Sequence, residues 1–104
     1  MNEKVMFSVI IVTLNAENEI EDTIKSIESQ TCDDFEVIVK DGCSKDLTLN
    51  KIPQKDKYHI YSIKDKSVYD GMNQAIKFAK GKFVVFLNAG DAFAGTDTLL
   101  EIST

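Results

Sequence analysis

The hydrophobic positions of this chain fall into runs that alternate between the spacing of a strand and that of a helix. Phe7 to Leu14 is apolar and β-branched, which is typical of a central strand covered by helices on both faces. From Glu17 to Gln30 the apolar residues recur at helical spacing, and acidic residues occupy the first turn, where the helix dipole favours them. The pattern therefore predicts a strand followed by an amphipathic crossover helix.

The same alternation continues through the middle of the chain. A second apolar run, Phe35 to Val39, precedes turn-forming residues in which Ser44 or Asp46 can cap a short helix. Pro53 interrupts the pattern, and Tyr58 to Ile63 then has the β-branched and aromatic content of a strand near a sheet edge. We expect a second strand, a short helix or irregular segment, and a third strand.

A second helix and a fourth strand are predicted in the last third of the chain. Gly81 is placed to end this helix in the left-handed conformation. The apolar face of the helix consists of Met72, Ala75, Ile76 and Ala79. Phe83 to Leu87 forms the fourth apolar run, and Thr96 can cap a last helix that carries the final apolar residues.

This order of elements predicts right-handed βαβ connections and a mostly parallel sheet between two layers of helices. The expected fold class is a three-layer, Rossmann-like α/β domain. A chain of 104 residues makes a single domain, residues 1–104, and its sequence contains no repeat or linker. With 43% hydrophobic residues, 28% charged residues and one proline, the composition is that of an ordinary globular protein.

Charge and hydropathy exclude some partners. The net charge of −5 and the absence of a Lys/Arg cluster argue against a nucleic-acid partner, which is bound mainly by neutralising phosphates. The apolar runs have strand length and fall short of the roughly 20 residues that span a bilayer, so no transmembrane segment is predicted. The amino terminus lacks a signal-peptide cleavage pattern, which favours a cytoplasmic protein. Cys32 and Cys43 are interpreted as two reduced thiols without an assigned role.

Polar residues follow three of the predicted strands at the point where each strand ends. These residues are Thr13 and Asn15 after the first strand, Asp41 after the second, and Asn88, Gly90 and Asp91 after the fourth. The carboxyl ends of parallel strands meet at one sheet edge, which is where α/β proteins bind ligands. We therefore expect one site there.

Two common doubly wound classes do not fit the loops. A dinucleotide-binding domain needs a G-x-G-x-x-G turn after the first strand, and the corresponding segment here, TLNAENE, has no glycine. Asp41 does occupy the place of a ribose-binding acid. A phosphate-accepting receiver domain would need an acidic pair after the first strand and an aspartate after the third, and neither is present in that form.

Two stretches, FSVIIVTLNAENEIEDTIKSIESQTCDDFEVIVKDGCSKD and SVYDGMNQAIKFAKGKFVVFLNAGD, carry a resemblance to a known family. Together they span Phe7 to Asp91 and resemble the family 2 glycosyltransferases of the GT-A fold. The resemblance implies transfer of a sugar from a nucleotide donor, here a UDP-sugar, to a saccharide or lipid-linked saccharide acceptor. The implied reaction is inverting, with an acceptor hydroxyl that a general base deprotonates.

The resemblance also implies roles near the uridine for the residues that end the first two strands. Thr13, Asn15 and Glu17 match the loop beside the base, although Asn15 can equally make a turn and Glu17 can serve the helix amino terminus. Asp41 matches the aspartate that accepts a hydrogen bond from the uracil imide, a task that suits an ionised acceptor. Its structural alternative is an Asx turn with Gly42.

Further residues match donor contacts and a metal ligand. Asp65, Asn73 and Asn88 match positions near the nucleotide sugar. The alternative for Asp65 is an exposed loop residue without a role, and that for Asn73 is a polar helix position. Asp91 matches the end of the D-x-D cluster that holds Mg²⁺ or Mn²⁺ against the diphosphate, and its alternative is a turn or cap residue. The sequence departs from the acidic pattern at Asn88 and Gly90, so Asp91 is the carboxylate that remains.

The resemblance implies that the general base and most of the acceptor site come from sequence beyond the metal motif. We therefore expect the chain to be the donor-binding part of an incomplete GT-A sheet, without turnover alone and able to self-associate through uncovered apolar surface. It would act in the cytoplasm or at the inner face of the membrane. The alternative function is a non-catalytic interaction module with a nucleotide-binding fold, which the neutral Asn88 and Gly90 favour.

Overall fold

A parallel sheet organises the protein, whose computed structural model describes residues 5–103. Within that range the sheet has four strands in the spatial order β3-β2-β1-β4, namely β1 Phe7–Thr13, β2 Phe35–Asp41, β3 Tyr58–Ser62 and β4 Phe83–Asn88. The helices are α1 Ile20–Glu28, α2 Val68–Ile76, α3 Thr98–Ser103 and a short 3-10 helix, Thr48–Lys51. The mostly parallel α/β sheet that the sequence predicts is confirmed.

The register of the strands brings their polar ends together. Thr13 at the end of β1 lies opposite Asp41 of β2, and Val12 lies opposite Asn88 of β4. Asp41 in turn lies opposite Ser62 of β3. Because all four strands run in the same direction, one edge of the sheet collects the polar groups that end them.

Helices cover both faces of the sheet, which explains why every residue of β1 and of β2 is buried. The larger apolar cluster joins alternate residues of the central strands to α1, and it includes Phe7, Val9, Ile11, Val37, Ile20 and Ile27. A smaller cluster on the opposite face joins Ile10, Val12 and Ile38 to Ala75 of α2. The structure thus has the three layers that the sequence predicts.

The α2 face of the sheet also contains buried polar groups, and these need partners because burial without hydrogen bonds is costly. Near the start of β1, the Ser8 hydroxyl donates to Glu36 Oε2 at 2.6 Å. The backbone N–H of Lys80 donates to the same oxygen at 2.7 Å, and that of Gly81 donates to Ser8 Oγ at 2.8 Å. This network ties the connection between α2 and β4 to the central strands.

The predicted role of Gly81 is wrong. Helix α2 ends at Ile76, followed by a turn in which Phe78 N–H donates to the Ala75 carbonyl at 2.9 Å. Gly81 does not have a positive φ, but a Cβ at that position would lie 2.6 Å from the carbonyl carbon of Phe7. Position 81 requires glycine because its backbone lies directly against Phe7 and Ser8 of β1. These residues are far apart in the sequence.

Candidate functional site

A cavity of about 420 Å³ opens at the carboxyl ends of β1 and β4. Its size falls within the range of ordinary ligand clefts. Three segments line it: Val12 to Leu14 with Ala16, Asp65 to Val68, and Asn88 with Ala89. Thr13, Asp65 and Asn88, which the sequence analysis identified as candidate site residues, therefore lie around one cavity.

Thr13 carries an unpartnered polar atom on the wall of this cavity. Its side chain is only 4% exposed, and Oγ1 has no hydrogen-bond partner in the part of the chain that the structure describes. Most buried hydroxyl groups in proteins are hydrogen-bonded. The Thr13 hydroxyl is thus an unsatisfied polar group in a residue that borders the cavity.

The loop after β1 is joined to the loop after β2 by hydrogen bonds. Asn15 has a φ of 49°, donates its N–H to Ser44 Oγ at 2.8 Å and accepts from Lys45 N–H through Oδ1 at 2.8 Å. Glu17 N–H donates to Asp46 Oδ2 at 3.2 Å. Neither Asn15 nor Glu17 is among the residues that line the cavity. Asn15 does make the turn that the sequence analysis offered as its alternative, and contact of either residue with a nucleotide stays a prediction.

Asp46 anchors the 3-10 helix as well as this junction. Its Oδ1 accepts from the backbone N–H of Thr48 at 3.0 Å and from the Thr48 hydroxyl. The hydroxyl bond is the main cause that lowers the pKa of Asp46 below its ordinary value of 3.8. An ionised Asp46 therefore stabilises the loops behind the cavity.

Asp41 is fully buried beneath these loops. Its Oδ2 accepts from Ser44 N–H at 2.8 Å and from the Ser62 hydroxyl at 3.0 Å, and its Oδ1 accepts from the Ser44 hydroxyl. The carboxylate thus folds the segment 42–44, in which Cys43 has a φ of 71°. Asp41 does not line the cavity, and its predicted bond to a uracil imide stays a prediction.

Lys40 is a buried cation that the sequence analysis did not single out. Its Nζ lies 3.0 Å from Asp65 Oδ2, and the two form an ion pair behind the cavity wall. The sequence does contain a signal for this residue. Lys40 directly follows an apolar strand run, and it shares a sheet face with the buried Ile38.

Asn88 and Asp91 form a tight turn at the end of β4. Asp91 N–H donates to the Asn88 carbonyl at 2.8 Å, and Asn88 N–H donates to Asp91 Oδ2 at 3.2 Å. Thr23 of α1 holds the turn, since its hydroxyl accepts from Gly90 N–H at 2.8 Å and donates to the Asp91 carbonyl at 2.6 Å. Gly90 has a φ of 101°, a conformation that favours glycine.

A second cavity, of about 300 Å³, lies on the other side of Asn88. Val68 and Asn88 line both cavities, and the second is completed by Tyr69, Met72, Phe86 and Asp91. Asp91 is exposed, and residues 5–103 contain no group of three or more acidic, His or Cys side chains that could hold a metal. One carboxylate with a neighbouring amide fits a cation such as Mg²⁺, which keeps several waters and binds substrate phosphates.

The predicted site residue on α2 lies apart from the cavities. Asn73 is exposed and lines neither of them. Asp70, in the first turn of α2, has a structural role, since its Oδ2 accepts from Lys66 N–H at 2.8 Å and its own N–H donates to Ser67 Oγ at 3.1 Å. These bonds cap the amino terminus of α2 beside the cavity.

Comparison with known proteins identifies the family. The sequence model of Glycosyl transferase family 2 matches residues 8–100, most of the chain. The chain belongs to glycosyl transferase family 2. A PGL/p-HBAD biosynthesis glycosyltransferase of Mycobacterium bovis is 38% identical over 103 residues, a match covering 94% of this chain and 40% of the relative.

Other similar proteins agree with this membership. The UDP-Glc:alpha-D-GlcNAc-diphosphoundecaprenol beta-1,3-glucosyltransferase WfgD of Escherichia coli is 30% identical over 101 residues, covering 94% of this chain and 40% of that protein. TarS 1-349 of S. aureus in complex with UDP-GlcNAc superposes with a TM-score of 0.86 and 31% identity, covering 94% of this chain and 30% of the TarS 1-349 chain. The predicted GT-A type of α/β fold is confirmed. This chain spans about 40% of the length of these curated relatives.

Within residues 5–103, no helix has the length and hydrophobicity that crossing a bilayer requires.

Proposed function

We propose that this chain is the donor-binding part, over residues 1–104, of an enzyme that transfers a hexosyl group from a UDP-sugar. The acceptor is a saccharide or a lipid-linked saccharide, and the reaction takes place in the cytoplasm or at the inner face of the membrane. The observation that carries the proposal is the cavity at the carboxyl ends of β1 and β4, which Thr13, Asp65 and Asn88 line in a chain that belongs to glycosyl transferase family 2.

The uridine occupies the larger cavity in this proposal. Thr13 would supply a hydroxyl that has no hydrogen-bond partner within residues 5–103, and Asp65 and Asn88 line the same space. Asp41 is the partner of Thr13 in the strand register, and in this proposal its carboxylate accepts the hydrogen bond of the uracil imide. Support comes from the similarity to TarS, which was solved in complex with UDP-GlcNAc.

Asp91 would hold Mg²⁺ or Mn²⁺, together with the side-chain oxygen of Asn88. A bound cation offsets the negative charge that develops on the diphosphate as it leaves. The turn bonded to Thr23 presents the Asp91 side chain to solvent beside the second cavity. The protein's own contribution is therefore to place one carboxylate at the point where the diphosphate leaves the uridine cavity.

Attack on the sugar needs a general base, and no residue of this chain is assigned that role. More than half of each curated relative lies outside its match to this chain. We place the base and the acceptor-binding groups in that additional sequence. The E. coli relative WfgD is named for glucosyl transfer from UDP-Glc to alpha-D-GlcNAc-diphosphoundecaprenol, which supports an acceptor of the saccharide or lipid-linked class.

An amide NMR titration with UDP, first without and then with Mg²⁺, tests the donor site. We expect shifts at Thr13, Asn15 and the segment 65–68, and addition of Mn²⁺ should broaden signals centred on Asp91. Asp91→Ala should abolish the broadening near β4, while Asp56→Ala, at an exposed position away from the site, should preserve it. A well-dispersed spectrum without UDP-induced shifts would contradict the proposal.

The second candidate is a non-catalytic module that retains the fold for protein interaction. It is favoured by the neutral Asn88 and Gly90 and by the buried, fully bonded carboxylate of Asp41. Such a module has no reason to couple metal and nucleotide binding. A Mg²⁺-dependent response to UDP that vanishes in Asp91→Ala would therefore support the enzyme. Binding of NAD in preference to UDP would instead support a dinucleotide-binding domain.

A further inference from the structure

The ammonium group of Lys40 lies inside the protein at the carboxyl end of β2, with 0% of its side chain exposed. Its Nζ donates to Asp65 Oδ2 at 3.0 Å, to the Asp41 carbonyl at 3.2 Å and to the Ile63 carbonyl. An ammonium group has three N–H donors, so these bonds use its full capacity. Lys40 is therefore committed to internal contacts and does not bind a ligand directly.

Asp65, its ionic partner, occupies a space that two glycines leave open. A Cβ at Gly42, in the loop after β2, would lie 3.2 Å from Asp65 Oδ2. A Cβ at Gly71, in α2, would lie 2.9 Å from the same oxygen. The carboxylate thus sits where β2, its following loop and α2 meet, with 12% of its side chain exposed.

These contacts join two parts of the proposed donor site. Asp65 begins the segment that forms one wall of the larger cavity, and Thr13 lies on another wall. Lys40 binds that segment at Ile63 and Asp65, and it binds the backbone of Asp41, the strand neighbour of Thr13. The Ile63 N–H also donates to the Asp41 carbonyl at 2.8 Å, so both groups converge on one oxygen.

We propose that Lys40 is a positioning residue for nucleotide binding: it holds the segment 63–68 at the separation from β1 that the uridine requires. This inference rests on the proposed function. A buried ion pair is often no more stabilising than apolar residues of similar volume, because both charges lose their hydration. An apolar side chain at this position could not hold the segment 63–68 in this geometry, since it cannot bond to two carbonyls and a carboxylate.

The test uses Lys40→Met, which keeps most of the length of the side chain and removes its charge. We expect UDP to bind about tenfold more weakly to the folded variant, as follows from losing charged hydrogen bonds that shape a site. Amide hydrogen exchange of Ile63 should accelerate without nucleotide, because the bond to Asp41 loses its support. Ile38→Val is the matched control, since it removes a buried methyl group on the same face of β2 and should lower stability without changing UDP affinity.

Unchanged UDP affinity in folded Lys40→Met, with stability alone reduced, would overturn the proposal. If Lys40→Met does not fold, Asp65→Asn weakens the same ion pair with little change of shape. Faster Ile63 exchange in that variant supports the proposal, and exchange equal to that of the wild type overturns it. Failure of the wild type to bind UDP would reject the proposed function, whereas the exchange measurement needs no nucleotide and separately decides whether Lys40 positions the segment.

Discussion

Individual residues of the site adopt conformations that local sequence preference does not favour. Asn15 and Cys43 both have positive φ values, 49° and 71°. Asparagine tolerates this region, but a residue such as cysteine is strained there because its Cβ approaches the carbonyl oxygen. The strain at Cys43 persists because Asp41 binds both the N–H and the hydroxyl of Ser44, which closes the loop around it.

We predict that Cys43→Gly raises the free energy of unfolding by about 1 kcal/mol, because glycine adopts the left-handed conformation without a Cβ clash. Urea denaturation provides the measurement. Cys43→Ala is the control, since it removes the thiol but keeps the Cβ, and it should leave stability near that of the wild type. Equal stabilisation by alanine would show that the thiol, and not the backbone, is the source of the effect.

The lowered pKa of Asp46 predicts that the stability of the protein depends on pH. Its folded pKa is lowered, chiefly by the Thr48 hydroxyl, so its contribution is present above the ordinary value of 3.8 and is lost as pH falls through the folded value. Wild type should exceed Asp46→Asn in unfolding free energy near neutral pH, and this difference should vanish as pH falls through the folded pKa, which lies below 3.8. Urea titrations across that pH range test it, with Asp56→Asn as a control for general charge effects. A difference that does not vary with pH would contradict the assignment.

At the scale of elements, the connection between α2 and β4 passes close to β1, directly before β4 joins the sheet. Gly81 N–H bonds to Ser8, and the backbone at Gly81 leaves no room for a side chain against Phe7 and Ser8. The contact lies immediately before β4, where Phe83 begins its pairing with Phe7 of β1.

Gly81→Ala should therefore destabilise the protein by about 1–3 kcal/mol, the usual cost of forcing extra atoms into a packed region. The Cβ would meet backbone atoms at 2.6 Å, and backbone cannot move aside as a flexible side chain does. Gly95→Ala is the matched control, because a Cβ there has no neighbour within 4 Å. Thermal unfolding of both variants makes the comparison, and equal melting temperatures would refute the packing argument.

At the scale of the whole molecule, β4 forms an apolar edge of the sheet. Phe83 is 50% exposed and Val84 is 39% exposed, although both belong to a strand paired with the buried β1. Exposed, apolar edge strands promote pairing with other chains. The self-association that the sequence suggested stays a prediction, and this edge is where we expect it.

Val84→Lys should weaken self-association, since a charge on an edge strand opposes pairing. Sedimentation at increasing concentration measures the effect directly. Ile60→Lys introduces the same charge on β3, at the other edge of the sheet, and should leave association unchanged. If the wild type is monomeric throughout the concentration range, it does not self-associate and the prediction is wrong.

The sequence by itself determined the four strands, the order of elements, the parallel sheet and the family, because hydrophobic periodicity and strand-end motifs are local properties. It also identified Thr13, Asp65 and Asn88, which line one cavity. The tertiary structure decided that Asp41 is buried under hydrogen bonds from Ser44 and Ser62.

Long-range packing likewise decided the roles of Lys40 and Gly81. Lys40 meets its partner Asp65 across 25 positions of sequence, and Gly81 meets Ser8 across 73. No periodicity or composition encodes which distant groups meet, because that depends on the register of the strands and on the path of the connections between them. The local pattern specifies where polar groups leave the strands, and only the assembled sheet determines which of them face a ligand and which face each other.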